Sequence, residues 1–350
     1  ATRVKFFHAA LGSPTVSTLL KALTHNWLDT LPVTADMVRK APPHSFATAQ
    51  GHLDAHRRNI MSTRHDEQEE EEGTTEYPDN TCWMSLHEVP TLGEIDIDPT
   101  GRFPVETAQG RYHVIFHHAA TNYIKPVVAK SRAAQHLRAA VDEGITFFQD
   151  KGFDVNYAII DNEFKTELLS VLRSRHITPQ YVPPHAHRRN TAERAIRTWK
   201  NHFISTMCSA DSDFPFEQCN LLVPQAEMSL NLMRGAHIDS AISAWHAVQG
   251  PMDFRAHPIA PAGTKVAVFE NPDRRASWGP HAVAGFYIGP ALDHYRCYHV
   301  WIPSTNSTRV TDTIDWFPAT ADIAPALPPN QQPPAVRAPG VSAPEPTPQP

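Results

Sequence analysis

Between residues 92 and 206 the spacing of apolar residues switches back and forth between a period of two and a helical period, and no other feature narrows the fold as far. GEIDID (93–98), YHVIFHH (112–118), YIKPVVA (123–129), VNYAIID (155–161) and ITPQYV (177–182) read as strands. SRAAQHLRAAVDEGITFFQDKG (131–152), FKTELLSVLRSRH (164–176) and a segment opening at TAERAIRTWKNHF (191–203) read as helices. Strands and helices interleaved in this way predict an α/β domain built on a mixed sheet.

The flanks divide the chain further. Residues 1–65 form a small helical region, in which SPTVSTLLKALTHNWL offers Ser13 or Thr15 as a cap and Leu19, Leu20, Leu23 and Leu28 at helical spacing. Residues 66–90 are an acidic linker, 91–207 the α/β core, and 208–262 a helical extension. In 263–317, KVAVFE, HAVAGFYIGP and RCYHVWIP, broken by Gly and Pro, predict a small antiparallel β-barrel. Residues 318–350, rich in Pro, Ala and Gln, predict a disordered tail. A hydrophobic content of 41% suits a globular protein. No run is apolar enough to cross a bilayer and the first residues carry no apolar signal core, so an intracellular protein of nucleus or cytoplasm, without a membrane partner, is expected. Four scattered cysteines, with no C-x-x-C pair, support neither a disulfide framework nor a zinc ribbon.

The formal charge of −6 argues against nucleic acid until its distribution is considered. Eight acids lie between Asp66 and Asp79, and without them the rest of the chain is slightly positive. From Arg173 to His202, Arg173, Arg175, Arg188, Arg189, Arg194, Arg197 and Lys200 face Glu193 alone. A local basic surface therefore persists under an acidic average.

Three carboxylates have settings that suit a shared metal. Asp161 ends the apolar strand YAIID, where a side chain projects into the crevice at the carboxyl ends of strands. Asp98 ends an earlier strand, with Pro99 expected to stop the ladder and Thr100-Gly101 to turn the chain. Asp96 is its competitor, because residues two apart on a strand share a face. Glu193 lies at the edge of a helical face formed by Ala192, Ala195, Ile196, Trp199, Phe203 and Met207, after two prolines and the N-cap candidate Asn190. Convergent carboxylates bind hard divalent cations, and a metal pair about 3.5–4 Å apart can clamp both oxygens of a phosphodiester displacement.

DPTGRFPV (98–105), IIDNEF (159–164) and VPPHAHRRNTAERAIRTWKNHF (182–203) together resemble the integrases of copia-type retrotransposons, relatives of retroviral integrases with an Asp, Asp, Glu triad. Thirty-one residues separate Asp161 from Glu193, near the spacing of such integrases. LNLMRGAHIDSAISAWHAVQGPMDF and the β-rich segment from Gly263 extend the resemblance, which covers about residues 1–317. It implies a ribonuclease-H-like core and metal-dependent DNA end processing and strand transfer. Asp98, Asp161 and Glu193 would be catalytic and hold two Mg²⁺ or Mn²⁺ ions. Arg188, Arg189, Asn190, Arg194, Arg197 and Lys200 would contact DNA, both element ends and target duplex, within a homo-oligomer.

The resemblance has a gap upstream, where such integrases carry a zinc module of two histidines and two cysteines. This chain has His8, His25, His44, His52 and His56 there but no cysteine before Cys82, so that module reads as degenerate and zinc is not expected. A different class therefore stays open: a catalytically inactive, domesticated or decayed integrase-derived protein that binds nucleic acid or assembles. Glu163 reads as a neighbour of the site, His185 and His187 as shaping the loop before the helix, and Trp199 and Phe203 as core.

Overall fold

A computed structural model describes residues 1–53, 92–160, 166–181 and 191–318. The acidic run, Asp161, Glu163, the segment 182–190 and the tail from residue 319 lie outside the described residues. Four short helices open the chain: α1 (Thr2–Ala10), α2 (Val16–Thr24), α3 (Ala35–Lys40) and α4 (Phe46–His52). Of the two cap candidates for α2 it is Thr15 that caps, its side-chain oxygen accepting from the Thr18 amide at 3.3 Å.

The α/β part holds a five-stranded mixed sheet in the order β3-β2-β1-β4-β5. Its strands are β1 (Glu94–Pro99), β2 (Tyr112–His118), β3 (Tyr123–Ala129), β4 (Tyr157–Ile160) and β5 (Thr178–Tyr181). β2 runs antiparallel to both β1 and β3, whereas β4 is parallel to both β1 and β5. Helix α5 (Ala134–Asp150) connects β3 to β4, and α6 (Thr166–Ser174) connects β4 to β5.

The alternation of side chains gives the sheet two different faces. Ile95 and Ile97 of β1, with Val114 and Phe116 of β2, join Leu137, Val141, Ile145 and Phe148 of α5 in one core. Helix and sheet approach closely at Gly144, where a Cβ would stand 2.3 Å from the Phe116 ring. On the opposite face Ile115 and Ile124 meet Ala195, Trp199, Phe203 and Met207 of α7 (Thr191–Cys208) in a second core. The helical face expected for α7 is thus largely its buried face, with Ile196 only partly covered and His202, Ser205 and Thr206 added to it.

Those additional residues are covered by the N-terminal helices. The Ser205 hydroxyl donates to Gly12 O at 2.6 Å, and Ser13 and Ser209 share a hydroxyl hydrogen bond of 2.6 Å. Gly51 of α4 lies so near α7 that a Cβ would be 2.5 Å from Asn201 O. After α7 come a 3₁₀ turn (Phe216–Leu222), α8 (Val223–Leu232) and α9 (Ala244–Gln249).

A second sheet, all antiparallel, has the order β10-β6-β7-β8-β9. It comprises β6 (Lys265–Phe269), β7 (Ala282–Pro290), β8 (Tyr298–Ile302), β9 (Ser307–Thr311) and β10 (Ile314–Trp316). The two edge strands are joined through Asp312 and Thr313 alone, so the sheet has to curl, although no ladder between β9 and β10 closes it among the described residues. The chain's β6, β7 and β8 match the segments expected to be strands; β9 and β10, with their polar alternation, were not singled out by sequence.

Candidate metal and nucleic-acid site

Asp96 and Asp98 occupy the face of β1 that looks toward α7, opposite His117 and Ile115 of β2. Their positions are not equivalent. Asp98 is half-buried near the strand end, and Asp96 is 1% exposed. Pro99 does not stop the ladder as expected: it pairs with Val114, and the Thr100 amide still donates to His113 O at 2.7 Å. A missing N–H interrupts only the side of a strand that would have used it, and the pairing with β2 continues past it.

The buried Asp96 carboxylate is held from two elements. His117 Nδ1 lies 2.9 Å from Asp96 Oδ2, and the Thr191 hydroxyl, at the first residue of α7, donates to the same oxygen. Asp96 Oδ1 is buried without a hydrogen-bond partner among the described residues. Behind His117, its Nε2 meets Asn122 Oδ1 at 3.1 Å. The Asn122 amide is fixed in orientation, because its Nδ2 donates to Gly235 O at 2.8 Å while its Oδ1 also accepts from Arg234 Nη2. Both ring nitrogens of His117 therefore face oxygen acceptors, Asn122 Oδ1 on one side and the Asp96 carboxylate on the other. Arg234 Nε donates to Asn122 O at 3.1 Å, and burial brings this guanidinium down to about 10. The chain of contacts runs from α8's end through the β2–β3 turn to β1 and on to the start of α7.

Glu193 lies two residues beyond Thr191, in the first turn of α7, and is exposed. Arg197 and Lys200 follow it at i+4 and i+7, on one stripe of the helix, with Arg194 beside them; all three are exposed. Further along, the indole of Trp199 donates to His113 Nδ1 at 2.9 Å, and His113 Nε2 donates to Asn220 Oδ1 at 3.0 Å. Burial pushes the His113 imidazole down to about 4, so it is neutral at pH 7 with its proton on Nε2. Trp199 is a fixed core residue, as its apolar spacing suggested.

Of the expected site residues, the structure places Asp98 and Glu193 on elements that meet at the Asp96–Thr191 contact, and Arg194, Arg197 and Lys200 on the outer side of the same helix. Asp161, Arg188, Arg189, Asn190, His185 and His187 lie outside the described residues. Among the described residues no group of three His, Cys, Asp or Glu side chains is gathered for a metal ion. Sequence reasoning missed His117, Thr191, Asn122 and Arg234. The available signal was the period-two match of His117 to Asp96; Asn122 and Arg234 had none, since their roles arise from contacts 112 residues apart. Burial raises the thiols of Cys208 and Cys219, to about 11 and about 12 respectively, which leaves both as inert thiols at pH 7.

No family model matches the chain, and no curated protein matches it. Among solved structures it is similar to the catalytic core domain of BIV integrase, at 14% identity and a TM-score of 0.34, over 45% of this chain and 94% of that one. It is also similar to a chain of the simian T-cell lymphotropic virus intasome in complex with the PP2A regulatory subunit B56 gamma, at 11% identity and a TM-score of 0.37, over 69% and 82%. Likenesses this remote say nothing of individual residues, and the chemistry has to follow from the site itself. Among the described residues no helix is long and apolar enough to cross a membrane.

Proposed function

We propose that the chain is a retrotransposon-type integrase, a polynucleotidyl transferase with a ribonuclease-H-like core that trims DNA ends and joins them to a target duplex. The observation that carries this reading is the junction of β1 with α7. Thr191, in the same first turn of α7 as Glu193, is fastened to Asp96, which shares its strand face with Asp98. Arg194, Arg197 and Lys200 extend from that point along the exposed side of the helix, as phosphate contacts beside a reaction centre would.

The donor set suits a hard cation. Asp98 and Glu193 offer oxygen alone, half-buried and exposed, which fits Mg²⁺ or Mn²⁺ and not zinc. Two acids are one short of a site, and Asp161 follows directly on Ile160, the residue paired with Ile97. Asp98, Asp161 and Glu193 would hold two ions, whose chemistry is to neutralise the transferring phosphate and lower the pKa of the attacking hydroxyl or water. Arg188, Arg189, Asn190, Arg194, Arg197 and Lys200 bind the phosphates of element end and target and fix them in line. Asp96, its Oδ2 occupied by His117 and Thr191, serves as a positioning residue for the helix. The domain divisions at 65, 90, 207, 262 and 317, a closed C-terminal barrel and assembly into a homo-oligomer on DNA belong to the same reading.

The test is joining of a labelled DNA end to a target duplex with Mg²⁺ or Mn²⁺, together with Mn²⁺ titration of the full chain. Joining that needs the three acids supports an active integrase. DNA binding without joining or acid-dependent Mn²⁺ binding supports the inactive, nucleic-acid-binding relative.

A further inference from the structure

Against the flank of α7, two turns beyond Glu193, lies a cavity of about 520 Å³, within the roughly 300–1,000 Å³ typical of sites for small organic groups. Its walls are aromatic and aliphatic: Phe103 from the loop after β1, Trp199, Phe203 and Met207 of α7, and Phe214 and Phe216 beyond it. Phe103 stacks on Phe216 with centroids 5.7 Å apart. His113 in the lining has both ring nitrogens committed, to Trp199 and Asn220, so this histidine offers no free edge to a ligand.

Charge is found at the lip. Arg102 and Lys200 line the cavity, both are exposed, and neither has an ion-pair partner among the described residues. Asp211 is also at the lip, but its Oδ1 is engaged by the Asp213 amide at 2.9 Å. Lys200 belongs to the Glu193–Arg197–Lys200 stripe and stands seven residues, about 10 Å, from Glu193. That is about three base steps of a DNA strand at 3.4 Å each.

We propose that this cavity receives an unpaired nucleobase of the bound DNA strand, about three nucleotides from the reacting phosphate, with Arg102 and Lys200 on the adjoining phosphates. The proposal rests on the DNA reading given above and adds the unpaired base to it. A pocket walled mainly by aromatic and aliphatic side chains, with Gln50 and Thr100 among its few polar lining residues, holds a base chiefly by stacking and contact and reads its identity weakly. Unpairing a base is least costly at a frayed end, so the cavity selects single-stranded termini over closed duplex. The ligand class is a nucleotide, planar ring inward and phosphate at the lip, which matches an apolar interior with cations at the mouth.

The experiment uses the full chain and two DNA duplexes of equal length, one blunt and one ending in three unpaired nucleotides that include 2-aminopurine. The frayed duplex should bind roughly five- to one-hundred-fold more tightly than the blunt one, with its 2-aminopurine fluorescence quenched on binding. Ile204→Trp blocks the mouth from a side chain that is 37% exposed, so the core is left undisturbed. It should abolish both the preference and the quenching while leaving blunt-duplex affinity unchanged. Phe216→Leu, which keeps an apolar wall but removes a stacking ring, should reduce both in part. Equal affinity for the two duplexes, or quenching that survives in Ile204→Trp, overturns the cavity proposal and leaves the DNA reading standing. Failure to bind either duplex overturns both.

Discussion

Replacing Thr191 with Val removes one hydroxyl and almost no volume, and so isolates the contact that joins α7 to β1. In the native chain that hydroxyl and His117 Nδ1 both serve Asp96 Oδ2, while Asp96 Oδ1 has no partner among the described residues. A hydrogen bond to a charged group contributes about 1.5–3 kcal/mol. Thr191 is half-buried, so water can replace part of it, which places the expected loss near the lower figure, about 1.5 kcal/mol. The His117 contact at 2.9 Å remains and keeps Asp96 in place, so the damage is confined to the first turn of the helix. Because about 1.4 kcal/mol corresponds to a factor of ten, looser placement of Glu193 should slow DNA joining by up to roughly tenfold. Urea unfolding and single-turnover joining measure the two effects. Thr191→Ser restores the hydroxyl and should recover most of both. A Val variant within about 0.5 kcal/mol of wild type, or a Ser variant no better than Val, would refute the claim that this hydroxyl sets the helix.

Three other outcomes follow from the same geometry. Trp199→Phe leaves the buried His113 Nδ1 without its donor and should cost about 1–3 kcal/mol in urea unfolding; an unchanged midpoint would place the donor elsewhere. His113 and His118 are each pushed down to about 4 and His202 to about 3, chiefly by burial, so the unfolded chain binds protons that the folded chain refuses. The stability these groups contribute is complete above about pH 6.5 and is lost as pH falls from there toward 4, and urea midpoints at pH 7, 6 and 5 should decline in that order. A midpoint that stays level over that range would contradict the burial of neutral histidines. Arg197→Ala with Lys200→Ala should weaken binding to all DNA sequences alike and flatten the log–log salt dependence by up to roughly one unit per lost phosphate contact; a sequence-selective loss would argue against phosphate contacts.

The core strands and helices could be read from the sequence because each keeps one period over a long enough stretch. In α7, the apolar positions from Ala192 to Met207 mark the face that packs on Ile115 and Ile124. The same alternation could not separate Asp96 from Asp98, since both point to one face. What distinguishes them is burial and the bonds from His117 and Thr191, which come from β2 and α7 and leave no local mark. Pro99 misled for a related reason: the rule against proline in a ladder depends on which side of the strand needs the N–H, and that is set by the neighbouring strand. The burial of His202 and Ser205 on α7 was likewise illegible, because the partner that covers them is the N-terminal helical region about 190 residues earlier. Arg234, Asn122 and the aromatic cavity beside Lys200 belong to the same class, assembled from segments far apart in the chain.

The most direct measurement is the rate of DNA end joining by the wild-type chain and by Glu193→Gln in Mg²⁺ or Mn²⁺, with DNA affinity measured alongside. Glutamine keeps the size and hydrogen bonding of the side chain in the exposed first turn of α7 and removes its charge. The wild type should join, and the variant should lose at least about a hundredfold in rate while its DNA affinity holds or rises slightly, since a negative charge has left the phosphate-binding side. A wild-type chain that binds DNA without joining it, or a variant that joins as fast as the wild type, would contradict the assignment of Glu193 to the reaction centre.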